Sequence, residues 1–170
     1  MDVAQCMRTK LILVGKDCNF KTLICKLATP LPHQAYIVDD SYTLLGIVSA
    51  MDLLREIIPS YLNADLARSV TDECDFLQKR VEMVKDKRAE DIMVTKFSFV
   101  YPHHQLLEAD ILIAEKGINT LPVIDKHGKI LGEITRRDIL LQLISDCAEK
   151  DLKDRQLIDL AKPAPQNKMQ

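Results

Sequence analysis

The stretch that decides the fold is Gly46-Ile47-Val48-Ser49-Ala50-Met51-Asp52, and its counterpart, Gly132-Glu133-Ile134-Thr135-Arg136-Arg137-Asp138, follows 86 positions later. Both stretches begin with glycine, carry a hydroxyl at the fourth position and end in aspartate. The offset holds without a gap over residues 1–60 and relates Met7 to Met93 and Asp39 to Asp125. Because solenoid repeats run to roughly 20–50 residues, this longer period predicts a duplicated small domain. Two copies about a pseudo-twofold would create two equivalent clefts, where ligands tend to bind.

Length and composition limit the class of protein. The 170 residues are 47% hydrophobic and 28% charged, as in ordinary globular proteins, and each half alone would bury too little surface to be stable. A net charge of −2 gives no electrostatic basis for binding nucleic acid or an anionic membrane. No apolar run approaches the roughly 18 residues of a membrane span, and the amino-terminal residues lack a signal-peptide pattern, so a cytoplasmic location is expected.

No disulfide framework or metal site is indicated. The five cysteines form an odd set without a C-x-x-C spacing. The pair His103-His104 has no further ligands that could be identified from the sequence.

Hydrophobic spacing predicts that each copy runs strand, helix, strand, strand, helix. In the second copy a strand is expected at 97–100. A helix with Leu106, Ala109 and Ile113 on one face should end at Gly117. Strands at 121–124 and 129–134 should flank a turn in which Gly128 supplies the positive φ that is needed. The corresponding elements of the first copy are expected at 11–14, 20–29, 35–38, 44–48 and from residue 50. The resulting boundaries are 1–60 for the first copy, 61–86 for a helical linker, 87–147 for the second copy, and 148–170 for a carboxyl-terminal helix and disordered tail.

The repeated Gly-to-Asp stretch has two compatible interpretations. A hydroxyl and an acid three residues apart at a strand-to-helix junction form a capping box, and the acid favours the positive end of the helix dipole. The same junction can present the carboxylate to two ribose hydroxyls and backbone N–H groups to a phosphate.

Taken in order and duplicated, these motifs resemble a tandem pair of cystathionine-β-synthase (CBS) domains. The resemblance rests on Asp91-Ile92-Met93, on Leu121-Pro122-Val123-Ile124-Asp125 and on the two Gly-to-Asp stretches. It covers nearly the whole chain except the linker and the tail. It implies an α/β pair that binds AMP, ADP, ATP or S-adenosylmethionine, senses rather than catalyses, and dimerises through its helices.

The family pattern also implies which residues bind the ligand in each cleft. Aspartate would hold ribose, Ser or Thr would reach phosphate, and apolar side chains would enclose adenine. The first cleft would use Ile47, Ser49 and Asp52, facing Val94, Phe97, Ile118 and Asn119. The second would use Glu133, Thr135, Arg137 and Asp138, facing Arg8, Leu11, Pro32 and His33.

The chain departs from that pattern in ways that make the two clefts unequal. Glu133 replaces an apolar residue beside the base, Tyr36 stands where the second copy has Pro122, and Gln5 stands in place of an acid matching Asp91. Arg136 and Arg137 have no basic counterparts at Ala50 and Met51; they suit a phosphate chain or are simply solvated residues at the helix start.

Three classes of function can be distinguished for this chain. A regulatory module that senses an adenosine-containing ligand agrees with the retained Ser/Thr and Asp residues. A structural dimerisation module with unoccupied clefts is the alternative, because capping would retain the same residues. An enzyme is disfavoured, because there is no Gly-rich phosphate loop, nucleophile elbow or His-based constellation. No cofactor is required in either favoured class. A homodimer is expected from the apolar residues of 53–58 and 139–144, and any regulated protein would be another chain.

Overall fold

The computed structural model describes residues 1–28 and 34–148, with side chains through Gln142. Helices and strands follow one another as α1 (Val3–Cys6), β1 (Ile12–Val14), α2 (Phe20–Leu27), β2 (Gln34–Val38), β3 (Leu44–Ser49), α3 (Ala50–Ile57), α4 (Ala64–Ala67), α5 (Glu73–Val84), α6 (Ala89–Ile92), α7 (Leu106–Lys116), β4 (Thr120–Ile124), β5 (Ile130–Thr135) and α8 (Arg136–Ala148). None of these helices is long and apolar enough to cross a membrane. The tail expected beyond residue 148, and the predicted site residues Pro32 and His33, lie outside the described residues.

The predicted order of elements is confirmed in the first copy, and in the second copy from its first long helix onward. In the first copy, β1 pairs in parallel with β2, and β2 pairs antiparallel with β3. In the second copy, β4 and β5 form the corresponding antiparallel hairpin. Helices α2 and α3 pack on the first sheet, and α7 and α8 pack on the second. Each copy therefore ends in a strand followed directly by a helix, the junction where the Gly-to-Asp stretch lies.

The strand predicted at residues 97–100 is wrong. Only Val100 pairs there, in a single parallel bridge to Val123, with Val100 N donating to Pro122 O at 3.0 Å and Ile124 N donating to Val100 O at 3.0 Å. The next bond of a parallel ladder would need an N–H from residue 122, and proline has none. Tyr36 occupies the equivalent position of the first copy, so β1 forms there.

The two hydrophobic cores exchange their short leading helices. Val3 of α1 is fully buried in the core of the second copy, with Val100, Leu121 and Ile134. Ala89 and Ile92 of α6 are buried in the core of the first copy. Because α1 and α6 are related by the 86-residue offset, the exchange is reciprocal. It holds the two copies together and places the residues after each short helix against the other copy's last strand.

A third hydrophobic cluster lies between the copies. Tyr36 from one copy packs with Ile124 and Ile130 from the other. The two hairpins are joined by Leu44 N donating to Gly128 O at 2.9 Å. Gly128 has the positive φ predicted for it, 78°, and Tyr42, its counterpart, adopts a φ of 65° despite its side chain.

The linker contains helix, as predicted for residues 61–86, and its longest helix is α5, on which Leu77, Val81 and Val84 lie at helical spacing. Val84 is buried in the first core. Arg80 Nε donates to the carbonyl oxygen of Ile57 at 2.9 Å, at the end of α3. The linker thus packs on the first copy rather than across the clefts.

Candidate functional site

Both Gly-to-Asp stretches form the predicted helix caps. Asp52 Oδ2 accepts from Ser49 N at 2.8 Å and from Ser49 Oγ at 2.6 Å, and Asp52 N donates back to Ser49 Oγ at 3.3 Å. Asp138 Oδ2 accepts from Thr135 N at 3.0 Å and from Thr135 Oγ1 at 2.6 Å. One carboxylate oxygen of each aspartate is therefore committed to the cap, and the other oxygen, Oδ1, decides what else each aspartate can bind.

A cleft of about 590 Å³ lies between the end of β3 and the second copy. This volume is within the range of small-molecule sites. The cleft is lined by all seven residues predicted for the first site, which are Ile47, Ser49, Asp52, Val94, Phe97, Ile118 and Asn119. The structure brings these residues together, and their contact with a ligand remains a prediction.

Two backbone features position the residues that the second copy contributes to the wall of this cleft. Helix α7 ends at Gly117, as predicted from the sequence. Gly117 adopts a left-handed φ of 61°, so Ile118 and Asn119 turn back toward the cleft before β4 begins. Val94, which follows the exchanged helix α6, pairs with Ile47 through N–H···O bonds of 2.9 and 3.1 Å. The apolar wall therefore combines β3 of one copy with the leading segment of the other.

Asp52 presents an available acceptor to the first cleft. Its side chain is 16% exposed, and its Oδ1 atom accepts no hydrogen bond from the described residues. The nearest cation is Arg55, whose Nη1 lies 3.6 Å from Oδ1 and whose side chain is 73% exposed. Such an exposed pair is worth little, so it does not block Oδ1.

Sequence reasoning missed several residues of the first cleft. Arg55, Lys96 and Lys116 add three cationic side chains to the lining, and Gln34 adds an amide. Arg55 could have been found by helical spacing, because it follows Ser49 and Asp52 at intervals of three. Lys96 could have been found by alternation from Val94.

The aspartate of the second cleft is already paired. Arg8 Nε and Nη2 each lie 2.6 Å from Asp138 Oδ1. The side chains of Arg8 and Asp138 are only 28% and 10% exposed. Asp138 therefore has both oxygens occupied, one by the cap and one by the guanidinium, unlike Asp52.

Glu133, the unusual residue of the second motif, lies in a buried polar cluster. Its side chain is 2% exposed, and Glu133 Oε2 accepts from the hydroxyl of Tyr36, which is fully buried, at 2.7 Å. Gln34 Nε2 donates to the same hydroxyl at 2.6 Å. Burial, and then the charge of Glu133, raise the pKa of Tyr36 well above its ordinary value. Tyr36 therefore keeps its proton and donates a hydrogen bond to Glu133.

Leu11 and Arg137 are the other described residues predicted for the second cleft. Leu11 packs against the cluster between the copies. Arg137 is exposed on α8.

Comparison with known proteins follows the same two-copy division. The family model described as CBS domain matches residues 2–59 and again 89–145. The chain belongs to the CBS-domain family. Its fold is that of a CBS pair, in agreement with the resemblance inferred from the motifs.

Similar curated proteins come from a plant and from an archaeon. CBS domain-containing protein CBSX2, chloroplastic, from Arabidopsis thaliana is 30% identical over an alignment of length 136 that covers 73% of this chain and 53% of that protein. Protein MJ0188 of Methanocaldococcus jannaschii is 24% identical over 152 residues, which are 89% of this chain and 48% of that protein. The chain therefore spans about half the length of each of these relatives.

Solved CBS pairs superpose on the whole two-copy unit. A crystal structure of CBSX2 in complex with AMP matches with 25% identity and a TM-score of 0.66, over 86% of this chain and 98% of that chain. The cytosolic domain of the Mg²⁺ channel MgtE in complex with ATP matches with 20% identity and a TM-score of 0.61, over 83% of this chain and 48% of that chain. At this lower identity the likeness establishes the fold alone.

Proposed function

We propose that this CBS pair is a non-catalytic regulatory module that binds an adenine nucleotide in the first cleft. The observation that carries the proposal is Asp52, which lines the cleft and whose Oδ1 atom accepts no hydrogen bond from the described residues. Two vicinal ribose hydroxyls are donors that match such an acceptor. The cap holds the carboxylate in one orientation through Oδ2, so little rearrangement is needed on binding.

The wall of the cleft fits a flat, neutral base. Ile47, Phe97 and Ile118 provide apolar surface from both copies. An aromatic ring and branched aliphatic side chains can enclose adenine on its two faces. Adenosine would thereby contact both copies at once, which is how its binding could change the relation between them.

The charges of the cleft favour a phosphorylated ligand. Arg55, Lys96 and Lys116 are three cations beside one carboxylate, that of Asp52. They attract phosphate oxygens by charge-assisted hydrogen bonds and repel the sulfonium of S-adenosylmethionine. We therefore favour AMP, ADP or ATP over S-adenosylmethionine. The AMP complex of CBSX2 supports this choice through a relative of the same fold.

A thermal-shift screen tests the proposal. AMP, ADP, ATP, S-adenosylmethionine and NADH would each be added to the full chain at a series of concentrations. A ligand at 100 times its dissociation constant stabilises a one-site protein by about 2.7 kcal/mol, and we expect such a shift with at least one adenine nucleotide and a smaller one with S-adenosylmethionine. Absence of any shift would contradict the proposal and favour the alternative, a structural dimerisation module with unoccupied clefts.

The proposed module would act by binding other proteins. Exposed apolar side chains on α3 and α8, including Leu54 and Leu140, support a homodimer, which sedimentation equilibrium would test.

The protein that this module regulates would be a separate chain. A cytoplasmic location remains a prediction from the sequence.

A further inference from the structure

We infer that the second cleft is occupied by the protein's own side chains, so that each chain binds one nucleotide rather than two. The guanidinium of Arg8 takes the place that the ribose would have on Asp138. This inference rests on the proposed function, because the second cleft is compared with a first cleft that binds a nucleotide.

The two clefts can be compared position by position, because the 86-residue offset relates them. In the first, Val94 pairs through its backbone with Ile47. In the second, Arg8 pairs in the same way with Glu133, with Arg8 N donating to Glu133 O at 2.8 Å and Glu133 N donating to Arg8 O at 2.9 Å. The backbone pairing at this position is thus the same in both clefts, but the paired side chains are apolar in the first cleft and charged in the second.

The Arg8 side chain competes directly with a ribose. Two of its nitrogens bond to Asp138 Oδ1, and Thr135 occupies Oδ2. A ribose could reach Asp138 only by displacing a charge-assisted, largely buried guanidinium with two neutral hydroxyls. Charged hydrogen bonds of this kind are stronger than neutral ones, so the exchange is unfavourable.

The Arg8 backbone is held against β5 from both directions. A methyl group added at Gly132 would lie 2.6 Å from the carbonyl oxygen of Arg8, so the segment cannot move closer to the strand. The two backbone bonds between Arg8 and Glu133 oppose movement away from it. Glu133 is held as well, because the fully buried Tyr36 donates to it, so a carboxylate stays where the first cleft has the apolar Ile47.

The test exchanges the charged pair for its apolar counterparts. The double variant Arg8→Val with Glu133→Ile copies Val94 and Ile47 into the second cleft. Arg8→Val alone serves as a milder variant in case the double variant does not fold, because it leaves the Tyr36–Glu133 bond intact. The reciprocal variant, Val94→Arg with Ile47→Glu, should close the first cleft. Circular dichroism and melting would establish that each variant is folded.

Calorimetric titration with AMP and with ATP then counts the sites. We expect one site per chain in the natural protein, a second site in at least one of the Arg8 variants, and loss of the original site in the reciprocal variant. Two sites in the natural protein, or no added site in any folded Arg8 variant, would overturn the inference. A natural protein that binds nothing, with an Arg8 variant that binds one nucleotide, would support the inference while refuting the proposed function of the first cleft.

Discussion

Replacing Asp52 with asparagine should weaken nucleotide binding about 10- to 100-fold, which corresponds to about 1.5–3 kcal/mol for hydrogen bonds to a charged acceptor. The amide retains an oxygen that can accept from Ser49 N, as Asp52 Oδ2 does at 2.8 Å, and asparagine lacks the charge that strengthens acceptance from ribose hydroxyls. The melting temperature should therefore change little. Calorimetric titration with AMP or ATP would measure the affinity.

Asp91→Asn is a matched control for the cap. Asp91 Oδ2 accepts from Arg88 N at 2.8 Å in the same helix-start arrangement, but Asp91 is not among the residues that line the first cleft. We expect it to leave nucleotide affinity within about twofold, a difference of about 0.4 kcal/mol. If Asp52→Asn binds as tightly as the control, Asp52 is only a helix cap.

Replacing Tyr36 with phenylalanine should destabilise the fold by about 1–3 kcal/mol, because it leaves a buried carboxylate without one of its donors. The lost group is the hydroxyl that donates to Glu133 Oε2 at 2.7 Å and accepts from Gln34 Nε2 at 2.6 Å. For a chain of this size, each kcal/mol lowers the melting temperature by about 2–4 °C. Thermal unfolding followed by circular dichroism would measure the difference.

Tyr101→Phe supplies the control, since it removes the same hydroxyl from a half-buried tyrosine to which the described residues give no hydroxyl bond. We expect a change within about 0.5 kcal/mol, as for substitutions away from buried networks. Equal effects of the two substitutions would contradict a special role for the Tyr36–Glu133 bond.

The same bond predicts how stability depends on alkaline pH. Burial, and then the charge of Glu133, raise the pKa of Tyr36 well above its ordinary value. Above about pH 10 the unfolded chain loses this proton while the folded chain retains it, so the folded state binds more protons and stability falls as pH rises. The contribution is fully present below about pH 10. The Tyr36→Phe variant should lack this component of the alkaline decline.

Much of the fold was predictable from the sequence, because the same pattern of strands and helices occurs in both copies of the repeat. The Gly-to-Asp stretches identified both strand-to-helix junctions, and their capping geometry follows from residue type and spacing alone. Gly117 was predicted to end its helix and Gly128 to have a positive φ, and both predictions are confirmed. The seven residues that the family pattern implied for the first cleft lie together in one cleft, while the cations Arg55, Lys96 and Lys116 were missed.

What could not be predicted depends on contacts between residues far apart in the chain. The pairing of Arg8 with Asp138 joins residues 130 positions apart, and no local pattern indicates it. The strand expected at 97–100 failed because the single missing N–H of Pro122 interrupts a ladder whose partner lies elsewhere in the sequence. The exchange of α1 and α6 could not be predicted from the spacing of hydrophobic residues either, because that spacing does not show which copy a short helix packs on.

A crystal structure of the full chain grown with a saturating adenine nucleotide tests the central claim most directly. The claim predicts one nucleotide per chain, in the first cleft, with both ribose hydroxyls on Asp52 Oδ1, adenine between Ile47 and Phe97, and phosphates toward the cations of the cleft. It also predicts that Arg8 remains bonded to Asp138. A nucleotide bound in the second cleft with Arg8 displaced, or both clefts without a ligand at saturating concentration, would contradict it.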